Sequence, residues 1–121
     1  MYSVSFSNLD GQDRRRRYER DWQACLWAAQ RFMPHLTLAD IERPTHRIFD
    51  AHLAGQIAIH MMRYRMNWAQ RRIAIESGRG RGNVHLAIIR VSARLGSPTF
   101  ARSYERAFKG SPTGQERRDH G

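Results

Sequence analysis

Residues 45–78 read THRIFDAHLAGQIAIHMMRYRMNWAQRRIAIESG, from Thr45 to Gly78. Thr45 has the chemistry of a helix N-cap, and Gly78 that of a helix stop. Between them Ile48, Phe49, Leu53, Ile57, Ile59, Met61, Met62, Tyr64, Met66, Trp68 and Ile73 fall at helical spacing, nearly all the way round. A helix that is apolar on every side is central in a bundle, or its outer side meets a partner. The stretch therefore predicts a long central helix, with room for a break near Asn67. Met61, Met62 and Met66 are either core or a seam for subunit contacts.

The flanking segments read as helices of the same bundle. Gly78 to Asn83 contains three glycines and reads as a turn. Val84, Ala87, Ile88, Val91 and Leu95 then form one helical stripe that Gly96 ends. Ser97-Pro98 is a cap followed by proline at the first helical position, and Phe100, Tyr104 and Phe108 repeat every four residues up to Gly110. Upstream, Tyr18, Trp22, Cys25, Leu26, Ala29 and Met33 mark a helix from about Arg14 that Pro34 ends. Thr37 caps a short turn through Ile41. Residues 2–7 alternate apolar and polar, which predicts a short extended segment, and Asn8 to Asp13 a linker. The expected fold is all-α: a compact bundle of four to five helices with a short extended N-terminal segment and a flexible C-terminal tail. Residues 1–110 form a single helical domain and 111–121 the tail.

The chain has 121 residues, 21 Lys+Arg against 11 Asp+Glu, and a formal charge of +10. Twenty of those bases are arginine, with Lys109 the one lysine. Such a field attracts polyanions, and nucleic acid is the default partner because phosphate neutralisation releases counterions. An acidic protein surface is the competitor. No apolar run reaches the ~20 residues of a membrane span, and the N-terminus lacks a signal peptide's apolar stretch. The single cysteine, Cys25, allows no internal disulfide. These features predict a cytoplasmic protein with no membrane partner.

Two basic groups are the candidate nucleic-acid-binding residues. Arg14, Arg15, Arg16 and Arg17, placed at a helix start, would oppose the helix dipole, which favours a binding role over local stability. Arg16, Arg20, Trp27 and Arg31 project opposite the Trp22/Leu26 stripe, an arrangement suited to phosphate contact with base or sugar stacking. The plain alternative is that Trp27 packs under the extended N-terminal segment. The second group is Arg63, Arg65, Arg71 and Arg72 on the long helix, with Arg79 and Arg81 in the glycine turn. Glycines let the backbone approach a phosphodiester, and guanidiniums bond its oxygens bidentately. Arg72 and Glu76 are also spaced to pair along the helix.

No motif for catalysis is present: no metal spacing of the His-Glu-x-x-His kind, no phosphate loop and no nucleophile elbow. No metal, cofactor or catalytic residue is expected, and Cys25 reads as a small core residue. Gln70, Ala74, Gly78 and Val84 have the offsets of a helix-turn-helix. Against it, Ser77 is polar where that motif is apolar, and Gly80 and Gly82 fall where the second helix should begin.

Three stretches carry a wider likeness. They are Thr45-His46-Arg47-Ile48-Phe49-Asp50, the helix end Ala74-Ile75-Glu76-Ser77-Gly78-Arg79, and the segment Ser97 to Lys109. Together they resemble the helix opening, helix end and closing helix of the small subunit of type III CRISPR effector complexes, the Csm-like belly subunit. The resemblance implies a non-catalytic helical bundle, repeated along a ribonucleoprotein filament beside other effector subunits. It would contact guide RNA and target nucleic acid through the backbone, with Arg47 and Arg79 as the residues carried over. The expected function is thus a non-enzymatic RNA-binding effector subunit. The alternatives are a helix-turn-helix DNA-binding regulator that depends on Asn83 or His85, and a small anti-CRISPR-like inhibitor of an acidic protein surface.

Overall fold

A computed structural model describes residues 2–45 and 48–110, with side chains from Gly11 onward. Residues 46–47 and 111–121, and with them Arg47 and the expected tail, lie outside the described residues. The rest is helical: α1 (Tyr2–Phe32), α2 (Leu38–Glu42), α3 (Phe49–Tyr64), α4 (Gln70–Ser77), α5 (Arg81–Arg94) and α6 (Pro98–Lys109). Six helices stand among the described residues where four to five were expected, because the stretch from 45 to 78 is broken.

The break has a clear backbone cause. The Met61 carbonyl accepts both the Arg65 and Met66 N–H groups, at 2.7 and 3.0 Å, and Asn67 turns to φ 64°. Asparagine tolerates that left-handed conformation better than most non-glycine residues. Trp68 then swings back, and its indole N–H donates to Asp21 Oδ2 at 2.9 Å.

α3 is the hub, packing against α1, α2, α4 and α5. Ala51, Leu53, Ala54, Ile57, Ala58 and Ile59 on it are buried. Met61, Met62 and Met66 are buried as well, so they belong to the core and not to an outer seam. Gly55 is where α2 crosses α3 most closely: a Cβ there would lie 3.2 Å from the Ile41 carbonyl oxygen. α1 contributes Tyr18, Trp22, Cys25, Leu26 and Ala29, five of the six positions in its sequence stripe. α6 adds Tyr104, Ala107 and Phe108, while Phe32 and Phe100 meet at 4.9 Å between ring centroids.

The caps mostly follow the sequence. Thr37 and Asp40 form a reciprocal capping box on α2, and the Ser97 hydroxyl accepts the Phe100 N–H on α6. Thr45 does not cap α3. Its carbonyl accepts the Ile48 N–H, and α3 begins at Phe49 behind Ile48, which offers no side-chain cap.

The N-terminus departs most from expectation. Residues 2–13 are helical and continuous with α1, not an extended segment and linker. Six alternating residues are a weak strand signal, and no strand exists among the described residues to pair with them. A helix satisfies its backbone groups internally and needs no partner strand. Arg14 to Arg17 therefore sit well inside a 31-residue helix, and the argument from a helix dipole at their position falls away.

Candidate nucleic-acid interface

α4 and α5 are two packed helices joined by a short turn, in the order that a helix-turn-helix requires. α4 has eight residues, and Gly78 after it sits at φ 72°, a conformation that favours glycine. The turn is Gly78-Arg79-Gly80, shorter than the sequence suggested, and α5 starts at Arg81 behind the N-cap Gly80. Both objections to this motif have local answers. The Ser77 hydroxyl accepts the Arg79 N–H at 3.2 Å, so the polar residue serves the turn. Gly82 lies in the first turn of α5, where a helix tolerates glycine better than in its middle.

Val84, Ala87, Ile88 and Val91 bury one side of α5 against the core. Turned furthest away are Gly82, Leu86, Ile89 and Ala93, all exposed, with Leu86 at 45 % and Ile89 at 49 %. Arg81 and His85 flank that line on one side, Asn83 and Arg90 on the other, and all four are exposed. Residues 70–94 hold six arginines and one carboxylate, Glu76. That carboxylate is taken up by Arg15 of α1, at 3.6 Å.

Eleven of the twelve sequence candidates are among the described residues, and they fall into distinct groups. Arg16, Arg71 and Arg81 are exposed and have no ion-pair partner among the described residues. Arg72 is half-buried; its expected pair with Glu76 does not form. Arg15 pairs with Glu19 at 2.7 Å as well as with Glu76, and Arg17 pairs with Asp13 at 3.6 Å. Arg20 reaches Asp21 at 3.4 Å, and Arg14 is half-buried with its Nε unpaired. Arg63 stacks on Tyr64, 5.1 Å from its ring centroid. Arg65 pairs with Glu105 and lies over Tyr104 and Phe108, so it fastens α3 to α6. Arg79 points inward: its guanidinium donates to the Glu42 carbonyl at 3.1 Å and lies 5.1 Å from the Trp22 ring centroid. The sequence survey passed over Arg90. Its signal was available, since it sits away from the Val84/Val91 stripe.

On α1, Arg16, Arg20, Gln23 and Trp27 form one exposed row, with Trp27 52 % exposed. Trp27 is not covered by the N-terminal segment, because that segment continues the helix axis.

The most catalytic-looking constellation lies elsewhere. His60 is buried, with Tyr104 Oη 2.7 Å from Nδ1 and Ser92 Oγ 3.1 Å from Nε2. A neutral imidazole can donate at one nitrogen and accept at the other, so the trio ties α3 to α5 and α6. Burial, and secondarily the Arg65 charge, lower His60 to about 4. A base that weak takes a proton from a serine hydroxyl poorly near neutral pH. Burial also pushes Tyr18 up to about 12 and raises Tyr104, so both phenols stay protonated. Among the described residues no group of three or more His, Cys, Asp or Glu could hold a metal, and no helix is long and apolar enough to cross a membrane.

No protein-family model, curated protein or solved structure matches the chain.

Proposed function

We propose that the chain binds duplex DNA, with α5 entering the major groove and α4 lying across the backbone. One observation carries this: an eight-residue helix, a three-residue turn opened by a left-handed glycine, and a second helix whose outward side bears no carboxylate. A major groove about 12 Å wide admits one such helix. Arg71 and Arg81 would neutralise phosphates, while Asn83, His85 and Arg90 offer hydrogen bonds to base edges. Leu86 and Ile89 on the outer line fit thymine methyl groups, which is the apolar feature of that groove.

Selection of duplexes from a random pool, followed by anisotropy titrations at two salt concentrations, tests it. The expected result is one enriched, thymine-containing site. Asn83→Ala and His85→Ala should relax its sequence, and Arg71→Ala should weaken all duplexes alike. An unenriched pool with equal affinity for every duplex sinks the proposal. No binding to any nucleic acid would favour a protein partner with an acidic surface.

A second proposal keeps the effector-subunit function, and the exposed row Arg16, Arg20, Gln23 and Trp27 favours it. An indole among cations suits unpaired bases, since stacking contributes about 1–3 kcal/mol per base. Here Trp27→Ala should weaken single-stranded RNA by about fivefold or more and leave duplex DNA alone. Co-purification with guide RNA and further subunits would support the assembly itself, and an unchanged RNA affinity would count against it.

A further inference from the structure

Between α3 and α5, closed at one end by the end of α2, lies a cavity of about 310 Å³. That is within the size range of small-molecule sites, roughly 300–1,000 Å³. Ile41, Pro44, Ile59, Leu86 and Ala87 make its apolar wall. His52, Gln56, Arg79, Asn83 and Arg90 make its polar side, and no carboxylate is among the lining residues.

We propose that this cavity binds a small organic anion, its apolar body against Ile41, Pro44 and Leu86 and its charged head at Arg90, within the field of Arg79. The two cations are prepared differently. The Arg79 guanidinium is held by the Glu42 carbonyl and the Trp22 ring, neither of which lines the cavity, so it contributes a fixed positive charge beside the head and not a closing bond. Arg90 is exposed, has no ion pair among the described residues and is free to close over the head. The nearby Glu42 side chain does not compete, because it is turned to the Trp22 indole N–H at 3.4 Å. The side-chain amides of Gln56 and Asn83 have no hydrogen-bond partner among the described residues, so they can fix the orientation of a polar edge. Apolar walls around a few convergent polar groups are the usual make-up of a ligand site. A bare inorganic ion would leave the apolar wall unused.

The cavity shares Asn83, Leu86 and Arg90 with the proposed DNA face, so anion and duplex would compete, but the titrations use the protein without DNA and the two proposals fail separately. Benzoate and adenosine monophosphate share the required chemistry through different heads. Titration of each into the full chain by NMR and calorimetry tests the site. Benzamide and adenosine serve as uncharged counterparts, and inorganic phosphate as a head without a body. At least one of the two anions should saturate, with shift changes centred on His52, Gln56, Asn83 and Arg90. The uncharged counterpart and inorganic phosphate should bind about tenfold or more weakly. Arg90→Ala should weaken the anion about fivefold or more with an unchanged melting temperature, as its position is exposed. Failure of both anions to saturate overturns the proposal. So do shift changes that fall on the α1 arginines instead, or an Arg90→Ala affinity within about twofold of the parent.

Discussion

The arginines of α1 and those of the α4–α5 unit look alike in the sequence and differ in what surrounds them. α1 carries the densest run, Arg14 to Arg17, yet only Arg16 of the four is exposed and without an ion-pair partner. Asp13 and Glu19 stand four residues from Arg17 and Arg15, which is the spacing for pairs along a helix. α5 has no acidic residue, and the one on α4 is occupied by Arg15. Charge that a partner can use is thus set less by the number of arginines than by the carboxylates one helical turn away.

The largest effect expected to separate the two regions is a pH effect, because a buried histidine bonds to α5 and α6 and, among the described residues, none bonds to α1. His60 titrates near 6.5 in the unfolded chain and about 4 when folded, so between those values the unfolded chain binds more protons. Stability should therefore fall as pH drops from 6.5 towards 4, by about 3 kcal/mol, and then level off. Urea titrations across that window should show it, and His60→Gln should flatten the curve. An unchanged slope in the variant would mean other groups cause the loss.

Next comes the charge comparison itself. Replacing Arg71, Arg81 and Arg90 together by alanine should cost about 2 kcal/mol of duplex affinity and flatten its salt dependence. Arg15→Ala/Arg17→Ala should change affinity by less than about threefold. Equal losses from the two sets would erase the contrast.

A smaller effect tests the turn. Gly78→Ala places a Cβ at φ 72°, which should destabilise the fold by about 1–2 kcal/mol in a thermal melt. Asn67→Gly, at the other left-handed position, should be neutral or stabilising by a few tenths of a kcal/mol. The smallest expected effect makes α1 resemble α5. Asp13→Asn/Glu19→Gln should release Arg17 and leave Arg15 held by Glu76 alone, raising nucleic-acid affinity about two- to threefold at a stability cost near 0.5 kcal/mol. No gain in affinity would show that α1 lies away from the bound nucleic acid.

Much of the bundle was legible because its apolar residues follow helical periods. The Tyr18/Trp22 and Phe100/Tyr104/Phe108 stripes, the Thr37 and Ser97 caps and the Gly78 stop all appear in the sequence and in the fold. Residues 2–13 were misjudged because period-two alternation over six residues carries little information, and helix continuity outweighed it. Ile48 holds the cap position expected of Thr45, and an isoleucine carries no capping signal that a sequence could show. The candidate interface was only half legible. Its arginines were visible, but their partners come from other helices, as with Arg79 and Glu42 or Arg65 and Glu105. Such pairings across the fold leave no local trace. The helix-turn-helix offsets were visible too, and what offset the apparent faults at Ser77 and Gly82 was a single hydroxyl-to-backbone bond and a place in the first turn.

The position of α1 in the chain has a consequence for synthesis. It leaves the ribosome before α3 and α6, the helices that cover most of its apolar stripe, and α6 follows all the other described helices. Until α3 has emerged Tyr18, Trp22 and Leu26 have little to bury against, and an isolated helix without packing is marginal in water. The segment from α3 to α5 can pair through contacts close in sequence, which form quickly. The nascent chain should therefore assemble its middle first and dock its beginning last, with the indole of Trp22 as a fluorescent reporter of that final step.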